Sequence, residues 1–251
     1  MKHLIFSDLH EDHEALLCML DAAEQMGGYD DIWFLGDALG KRDESSKGSP
    51  IECLQFLQQY VKICVIGNWE GWLRQPEKDD DPSSFQYKWA PLLKSLREQL
   101  PPELMEFVYG WDWKLLPNSS VTITHGCTHQ EYDADYLRAA PWETYIEAGD
   151  LALVEKIYSR PDLLTTPHLI VGHTHNPGYH HFNGNYPEWK GLTPQGANQW
   201  IEMDSFKGRY LWNPGSASDN RGSFPLPTAL MLDTDARTFC FLAFHNARRH
   251  M

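Results

Sequence analysis

The chain has 251 residues, of which 42% are hydrophobic and 22% are charged, and both values are ordinary for a globular protein. Its net charge of −14 speaks against a protein that coats nucleic acids, because a phosphate backbone would be repelled. The charge does not exclude a small phosphate-containing substrate, since bound cations reverse the sign of the charge locally. No apolar run approaches the roughly 20 residues that span a bilayer.

The N-terminal stretch passes from a short apolar run directly to Asp8 and has no small-residue cleavage site, so it does not resemble a signal peptide. The five cysteines are odd in number and form no C-x-x-C pair, which favours reduced thiols. These features predict a cytoplasmic protein that does not bind membranes. No composition shift marks a linker. We therefore expect one domain over residues 1–251, with surface insertions near 71–118 and 176–208.

The first third of the chain alternates predicted strands and helices. Apolar residues at helical spacing predict a helix over Glu14–Met26, and a second helix begins with Ser49 as N-cap, Pro50 at the first position and Glu52 closing a capping box. Short apolar runs predict buried strands at His3–Phe6, Ile32–Leu35 and Val61–Ile66. The resulting β-α-β-α-β order is typical of a parallel sheet with crossover helices.

The rest of the chain is less regular. Helices are predicted over Trp89–Leu100 and Trp142–Tyr158. Strands are predicted at Val121–Thr124, Leu169–Val171, Thr228–Asp233 and Thr238–Phe244.

Polar side chains follow the ends of five predicted strands. They are Asp8 and His10, Asp37, Asn68, His125, and His173 with His175. In open α/β sheets, ligands bind at the carboxyl ends of the strands. Carboxylate oxygen, amide oxygen and imidazole nitrogen together suit a divalent ion such as Mn, Fe, Zn or Ni. Seven ligands are too many for one ion with an open catalytic position, but they suit two ions that share a carboxylate.

Each of these motifs is weak by itself. A lone D-x-H is more often a helix cap or a surface turn, and an H-x-H is a metal site about as often as not. The coincidence of five such motifs at five strand ends is what favours a metal centre.

The ordered set of motifs resembles the calcineurin-like metallophosphoesterase superfamily. The motifs are Asp8-x-His10, Gly36-Asp37, Gly67-Asn68, His125-Gly126 and Gly172-His173-x-His175. Asn213-Pro214-Gly215-Ser216 is similar to the closing motif of the small bacterial and archaeal phosphodiesterase branch. The resemblance covers nearly the whole chain. It implies an α/β fold in which two mixed β-sheets pack as a sandwich flanked by helices, in four-layer αββα order.

The resemblance also implies a dinuclear metal centre. One ion would be held by Asp8, His10, Asp37 and His175, and the other by Asp37, Asn68, His125 and His173, with Asp37 bridging the two. A metal-bridging hydroxide would then attack phosphorus in line, with Asp37, Asn68 and His125 in catalytic roles. The expected activity is hydrolysis of phosphodiester or phosphoanhydride bonds. A phosphomonoesterase of the same mechanism and a catalytically weak metal-binding interaction scaffold are the alternatives.

One position departs from the family pattern. Many members carry a His after Gly-Asn, which is thought to protonate the leaving group, whereas this chain has Trp69. The small phosphodiesterase branch often lacks that His as well. The next residue, Glu70, keeps the acidic position of the pattern, and we expect it to orient neighbouring groups as a hydrogen-bond acceptor.

Substrate contacts are expected from loops near the metal ligands. His129 follows the ligand His125, and Arg221 follows the closing motif as a candidate phosphate contact. Tyr179 and His181 belong to an aromatic-rich segment, 176–208, that either stacks a planar group or packs on itself. On the first of these readings the substrate is a small nucleotide-like molecule and not a nucleic-acid polymer.

Overall fold

The computed structural model describes residues 1–40, 48–126, 165–182, 188–204, 208–218 and 224–245. The described helices are α1 (His13–Gln25), α2 (Pro50–Tyr60), α3 (Asn68–Leu73), α4 (Ala90–Gln99) and α5 (Pro102–Tyr109). The described strands are β1 (Lys2–Phe6), β2 (Asp31–Phe34), β3 (Ile63–Cys64), β4 (Lys114–Asn118), β5 (Val121–Thr124), β6 (His168–Ile170), β7 (Gly178–Phe182), β8 (Glu188–Gly191), β9 (Ile201–Glu202), β10 (Arg209–Asn213), β11 (Thr228–Asp233) and β12 (Thr238–Ala243).

These strands form two six-stranded mixed sheets. The first, sheet I, has the order β3-β2-β1-β11-β12-β9, and the second, sheet II, has the order β4-β5-β6-β10-β7-β8. In sheet I, β1, β2 and β3 run parallel and β11 is antiparallel to β1. In sheet II, β5, β6 and β10 run parallel. The carboxyl ends of two parallel sets can therefore meet at one end of the sandwich.

The apolar side chains of β1 show how the layers form. Ile5 joins a buried cluster that combines both sheets, including Ile170 and Trp212 of sheet II. Its neighbours Leu4 and Phe6 join a second cluster on the other face of sheet I. Alternate residues of a strand point to opposite faces, so β1 is covered on both sides. The second cluster also contains residues of β2, β11 and β12, and its helical members come from α1, α2, α3, α4 and α5, which therefore flank sheet I.

Local sequence signals set the helix ends. The side chain of Asp12 accepts a hydrogen bond from Ala15 N at the start of α1, and that of Ser49 accepts one from Glu52 N at the start of α2. Each bond satisfies a backbone donor that has no partner inside its helix. α4 ends before Pro101, and α5 begins at Pro102.

The predicted sandwich of two mixed sheets flanked by helices is confirmed. The strand expected at Val61–Ile66 is shorter, because Val61 N still donates to Leu57 O at the end of α2 and only Ile63–Cys64 pairs with β2. The 71–118 and 176–208 segments contain regular elements that the sequence did not predict, among them α5, β4, β7 and β8. The helix expected at Trp142–Tyr158 lies outside the described residues.

None of the helices in the described ranges is long and apolar enough to cross a membrane.

Candidate metal centre

Two groups of side chains meet where the parallel strands end. Asp8, His10 and His175 form one group, and Asp37, His125 and His173 form the other. Within each group the potential ligand atoms lie within 4.8 Å of one another. Sheet I contributes the carboxylates and His10, and sheet II contributes the other three histidines. The centre therefore spans both sheets.

Asn68 completes the second group. Its Oδ1 lies 3.0 Å from Nδ1 of His173 and 3.3 Å from Nε2 of His125. Asn68 is the first residue of α3, directly after the Gly67 that follows the β3 region. The structure thus brings together all seven side chains that the sequence predicts as ligands. Asp37 belongs to the second group, and its predicted bridging role stays a prediction.

Backbone carbonyls hold the rings of His10 and His125 through one nitrogen, Nδ1. His10 Nδ1 donates to the carbonyl of Leu39 at 3.1 Å, and His125 Nδ1 donates to the carbonyl of Leu35 at 2.7 Å. A carbonyl only accepts, so Nδ1 carries the proton in both rings. In the neutral ring, Nε2 then presents its lone pair to the centre, which is the arrangement of metal-binding histidines.

The spacing of the ligand atoms fits a cation. His10 Nε2 lies 3.2 Å from His175 Nε2, and Asp8 Oδ1 lies 3.2 Å from the same His175 atom. Lone pairs at these distances repel one another unless a proton or a metal ion lies between them. The set of carboxylate, imidazole and amide donors therefore fits divalent ions such as those expected from the sequence.

Burial and the neighbouring charges act in opposite directions on the pKa values of Asp8, Asp37 and His125. Burial disfavours ionisation of Asp8, yet the imidazoles, that of His175 first, hold its pKa well below the usual range. Burial likewise opposes the charge on Asp37, but His125 lowers its pKa. Burial lowers the pKa of His125, but the Asp37 carboxylate outweighs this effect and raises it to about 9. Burial, and then His125, lower the pKa of His173 to about 3. The paired carboxylates thus attract positive charge to this centre.

The backbone around the ligands is strained. Five ligand residues have φ in the left-handed region, which residues other than glycine seldom adopt. They are Asp8 at 56°, His10 at 48°, Asp37 at 58°, His173 at 67° and His175 at 58°. Each such conformation costs on the order of 1–3 kcal/mol and persists only where the surroundings impose it, and such residues concentrate at functional sites.

Two glycines allow the ligand loops to approach one another. A Cβ atom on Gly67 would lie 2.2 Å from Asp37 Oδ1, and one on Gly172 would lie 2.0 Å from Ser7 Oγ. Any side chain at either position would displace the neighbouring ligand loop. The Gly in the Gly-Asn and Gly-His-x-His motifs is therefore required by packing around the centre.

Glu70 holds the loop that carries Asp37. Its carboxylate is buried and accepts hydrogen bonds from the backbone N–H groups of Asp37 at 2.9 Å, Leu39 at 3.0 Å and Gly67 at 3.0 Å. Burial and the Asp37 carboxylate raise the pKa of Glu70 to about 7, although two of these N–H groups act in the opposite direction. Glu70 therefore orients the ligands of both the Asp37 and Asn68 loops without being one of them.

Residues of the closing motif hydrogen-bond the backbone of Asp8 and the His-x-His loop. Ser216 Oγ donates to the carbonyl of Asp8 at 2.8 Å. Asn213 Nδ2 donates to the carbonyl of Gly172 at 3.0 Å and to Thr174 Oγ1 at 2.9 Å, both in the His-x-His loop. Ser218 Oγ also donates to the Asp8 carbonyl, at 3.2 Å, and no sequence signal pointed to this residue.

Trp69 fills the position where the family pattern has a His. Its backbone N–H donates to Asp37 Oδ1 at 3.0 Å, while its ring packs edge-on against Trp72 and Trp89. A Cβ atom on Gly40 would lie 1.9 Å from the Trp69 ring, so the indole lies directly on that backbone. The side chain is 5% exposed. Trp69 thus anchors the Asp37 loop and offers no titratable proton.

Of the predicted substrate contacts, the two in the described part of the chain, Tyr179 and His181, pack elsewhere than in the ligand cluster. Tyr179 contacts the rings of Phe239 and Phe241 in the core between the sheets. His181 stacks on Tyr210 with ring centroids 4.5 Å apart. These contacts favour the alternative in which the aromatic residues of 176–208 pack within the fold. His129 and Arg221 lie outside the described residues.

Trp200, in the same segment, is also remote from the centre. Lys2 Nζ lies 5.9 Å from its ring centroid. Lys2 begins β1, and the metal-ligand candidates follow the other end of that strand. Trp200 therefore lies toward the opposite end of the sandwich.

Comparison with known proteins identifies the family of this chain. The calcineurin-like phosphoesterase superfamily domain matches residues 1–237. Among solved structures, a metallophosphoesterase from Sphaerobacter thermophilus is 24% identical with a TM-score of 0.70, and the match covers 100% of this chain and 90% of that chain. A hypothetical protein from Pyrococcus horikoshii OT3 is 14% identical with a TM-score of 0.63, covering 99% and 90%. No curated protein matches at a significant level.

The family match spans all seven ligand candidates as well as the closing motif. Together with the two sheets and the ligand clusters at their carboxyl ends, it establishes that the chain belongs to the calcineurin-like phosphoesterase superfamily.

Proposed function

We propose that this protein is a dinuclear metal-dependent phosphoesterase that hydrolyses phosphodiester or phosphoanhydride bonds in a small substrate. Family membership supports the coarser part of this statement, a metal-dependent phosphoric ester hydrolase. The observation that carries the rest is the pair of adjoining ligand groups, Asp8–His10–His175 and Asp37–His125–His173, at the ends of the parallel strands.

The two groups have the composition that two divalent ions require. Each contains one carboxylate and two imidazoles, and Asn68 adds an amide oxygen to the second. Bound divalent ions supply Lewis acidity, a lowered pKa of water and a template for the phosphoryl oxygens. The residues of the chain keep the ligands in position, with His10 and His125 locked in one tautomer by backbone carbonyls.

The packing of Trp69 favours substrates with good leaving groups. A general acid is typically worth about 10²–10⁴-fold in rate, and its absence matters most for poor leaving groups such as alkoxides. Because the Trp69 ring is buried against Gly40, Trp72 and Trp89, it does not supply a proton. Aryl oxides, and phosphate leaving from an anhydride, depend less on such help.

A nucleotide-like substrate is not part of this proposal. It depended on Tyr179, His181 and other rings of 176–208 forming a wall near the metal ligands. Tyr179 packs in the inter-sheet core, His181 on Tyr210, and Trp200 beside Lys2. These contacts do not support the hypothesis that a nucleobase binds at the metal centre.

The test compares two aryl substrates with the same leaving group. The purified protein is stripped of metal, reloaded with Mn²⁺, and assayed with bis(4-nitrophenyl) phosphate and with 4-nitrophenyl phosphate. We expect metal-dependent hydrolysis with a higher kcat/KM for the diester. A higher kcat/KM for the monoester would establish the phosphomonoesterase instead.

Loss of metal ligands provides the control. His175→Ala removes an imidazole from the first group and should abolish the reaction with both substrates. His13→Ala, on the partly exposed surface of α1, should leave it unchanged. Metal binding without hydrolysis of either substrate would contradict the proposal and favour the interaction scaffold.

A further inference from the structure

Glu11 carries a buried carboxylate beside the metal centre and belongs to neither ligand group. It follows the ligand His10 directly and is 2% exposed. Carboxylates are seldom buried unless a partner or hydrogen bonds compensate for the loss of water. The contacts of Glu11 therefore indicate what its side chain does at this position.

One oxygen of this carboxylate holds a backbone group of the Asp37 loop. Glu11 Oε1 accepts a hydrogen bond from Gly40 N at 3.0 Å. That N–H belongs to the peptide bond between Leu39 and Gly40, and the carbonyl of the same peptide bond accepts from His10 Nδ1 at 3.1 Å. A single planar peptide unit therefore connects the Glu11 carboxylate with the imidazole of the neighbouring ligand.

Glu70 by itself does not fix the direction of this carbonyl. It accepts from Leu39 N at 3.0 Å, which holds the peptide before Leu39. The peptide after Leu39 can still rotate about the Cα–C bond of that residue, and this rotation changes the direction of its carbonyl. Glu11 removes the remaining freedom because it holds the N–H at the other end of the same rigid unit. The two glutamates together fix successive peptides of the Asp37 loop.

The charge of the carboxylate strengthens the connection to the ligand. Hydrogen bonds to a charged acceptor are roughly twice as strong as those between neutral groups. Hydrogen bonds in a chain also polarise one another, so a peptide whose N–H is held by a carboxylate has a more negative carbonyl oxygen. The His10 Nδ1–H group therefore meets a stronger acceptor, and Nε2 of the ring is kept toward His175.

The backbone of Glu11 is held at both its donor and its acceptor. Its N–H donates to the carbonyl of Ala38 at 2.7 Å, and its carbonyl accepts from Ser49 N at 2.8 Å. Its φ of 65° lies in the left-handed region, which glycine adopts without strain and other residues adopt at an energetic cost. The presence of glutamate at this position is therefore explained by its side chain and not by its backbone.

We propose that Glu11 is a positioning residue for His10. Its carboxylate fixes the Leu39–Gly40 peptide, and the carbonyl of that peptide holds the His10 ring in the orientation in which Nε2 faces the first ligand group. The inference rests on the proposed function where it takes His10 as a metal ligand, whereas the orientation of the ring is measurable in the protein without metal. Glu11 acts through His10 and is not itself a ligand.

The test follows the hydrogen bond between His10 and Leu39 in metal-free, full-length protein. The Nδ1–H proton of His10 is observed in ¹H–¹⁵N spectra of protein labelled at histidine, and it is assigned by its loss in His10→Ala. We expect this proton to exchange slowly with solvent in the parent. Glu11→Ala should accelerate the exchange at least about tenfold, which corresponds to the loss of one hydrogen bond. Glu11→Gln keeps an oxygen for the Gly40 N–H and should accelerate it less.

The same variants are titrated with Mn²⁺. Loss of a group that orients a metal ligand typically lowers metal affinity about 10–100-fold. We expect a loss in this range for Glu11→Ala and a smaller loss for Glu11→Gln. Failure of the parent to bind Mn²⁺ would contradict the proposed function, and the exchange of the His10 proton would still decide the role of Glu11.

Asp79→Asn is the matched control. Asp79 is also a buried carboxylate, 1% exposed, but its hydrogen bonds go to Arg97 and Gln86, which belong to neither ligand group. This variant should lower the melting temperature and leave both the His10 exchange and the Mn²⁺ affinity unchanged. Thermal melting verifies that every variant is folded, and Glu11→Gln is compared with Asp79→Asn if Glu11→Ala does not fold.

Three results would overturn the proposal. The first is the absence of a slowly exchanging His10 proton in the parent. The second is an exchange rate or an Mn²⁺ affinity in Glu11→Ala that equals that of the parent. The third is an equal change of the His10 exchange in Asp79→Asn, because the exchange would then report general stability and not the contact of Glu11 with the Leu39–Gly40 peptide.

Discussion

Trp69 holds the carboxylate of Asp37 through its backbone. The Trp69 N–H donates to Oδ1 at 3.0 Å, and this leaves Oδ2 facing Nε2 of His125 at 3.4 Å. The residue that stands in place of a general acid thus sets the orientation of the carboxylate expected to join the two metal ions. Trp69 therefore positions this carboxylate through its backbone, and its side chain has no titratable proton.

Asp37→Asn tests whether this carboxylate joins two ions. Asn keeps an oxygen for the Trp69 N–H but replaces the oxygen that faces His125 with an amide group. We expect the variant to lose more than one equivalent of metal per chain, measured by elemental analysis, and to lose at least about 100-fold in kcat/KM. Asp21→Asn, on the surface of α1, is the control and should keep full metal content. Two equivalents of metal in Asp37→Asn would exclude the bridging role.

Glu70→Gln tests the buried carboxylate behind the ligands. Gln keeps the shape but turns an N–H donor toward at least one of the three backbone N–H groups that Glu70 accepts. We expect the free energy of unfolding to fall by about 2 kcal/mol, since a buried N–H group left without an acceptor costs about 1–3 kcal/mol. Metal affinity should fall about 10–100-fold, as for other residues that orient ligands.

The control for Glu70→Gln is the exposed Glu77, which lies in a short 3-10 helix. Glu77→Gln should change neither denaturant unfolding nor the metal titration. If Glu70→Gln binds metal with the parent's affinity, Glu70 stabilises the fold without positioning the ligands.

The leaving group should control the rate. In a series of aryl phosphodiesters, we expect kcat/KM to fall steeply as the pKa of the leaving phenol rises, because the Trp69 side chain has no proton to give. Trp69→Phe keeps an aromatic ring at this position but has one ring fewer and no N–H, and since neither side chain has a titratable proton its slope should equal that of the parent. A shallow slope in the parent would show that another residue acts as the acid.

Acid should destabilise the protein through His168. Burial lowers the pKa of His168 to about 4 from an ordinary value near 6.5. The unfolded chain therefore binds this proton at a higher pH than the folded chain does. The neutral ring contributes its full stability above about pH 6.5, and this contribution, roughly 2–3 kcal/mol, is lost as the pH falls toward 4.

His168→Gln removes this titration. The difference in unfolding free energy between parent and variant should therefore shrink between pH 6.5 and pH 4, as measured by urea denaturation at several pH values. A difference that stays constant over this range would mean that His168 has the same pKa in the folded and unfolded chain. His13→Gln serves as the surface control.

The candidate ligands could be chosen from sequence because the relevant signals are local. A buried strand is recognised by its apolar run, and the residues directly after it must lie at its carboxyl end. Asp8, Asp37 and His125 were found in this way. The parallel order of β1, β2 and β3 then follows from the helices between them, and strands that run in the same direction bring their carboxyl ends together.

Apart from Glu70, the roles of the residues around the ligands were decided by tertiary structure alone. Ser216 hydrogen-bonds the carbonyl of Asp8 across 208 positions of sequence, and Tyr179 packs on Phe239 because β7 pairs with β10 beside the inter-sheet core. No local pattern predicts which strands become neighbours or which sheet a side chain packs against. An aromatic residue that packs in a core cannot be distinguished by sequence from one that stacks on a ligand. The contact of Glu11 with Gly40 arises in the same way: the two residues lie 29 positions apart, and the parallel pairing of β1 with β2 brings the loops after these strands together.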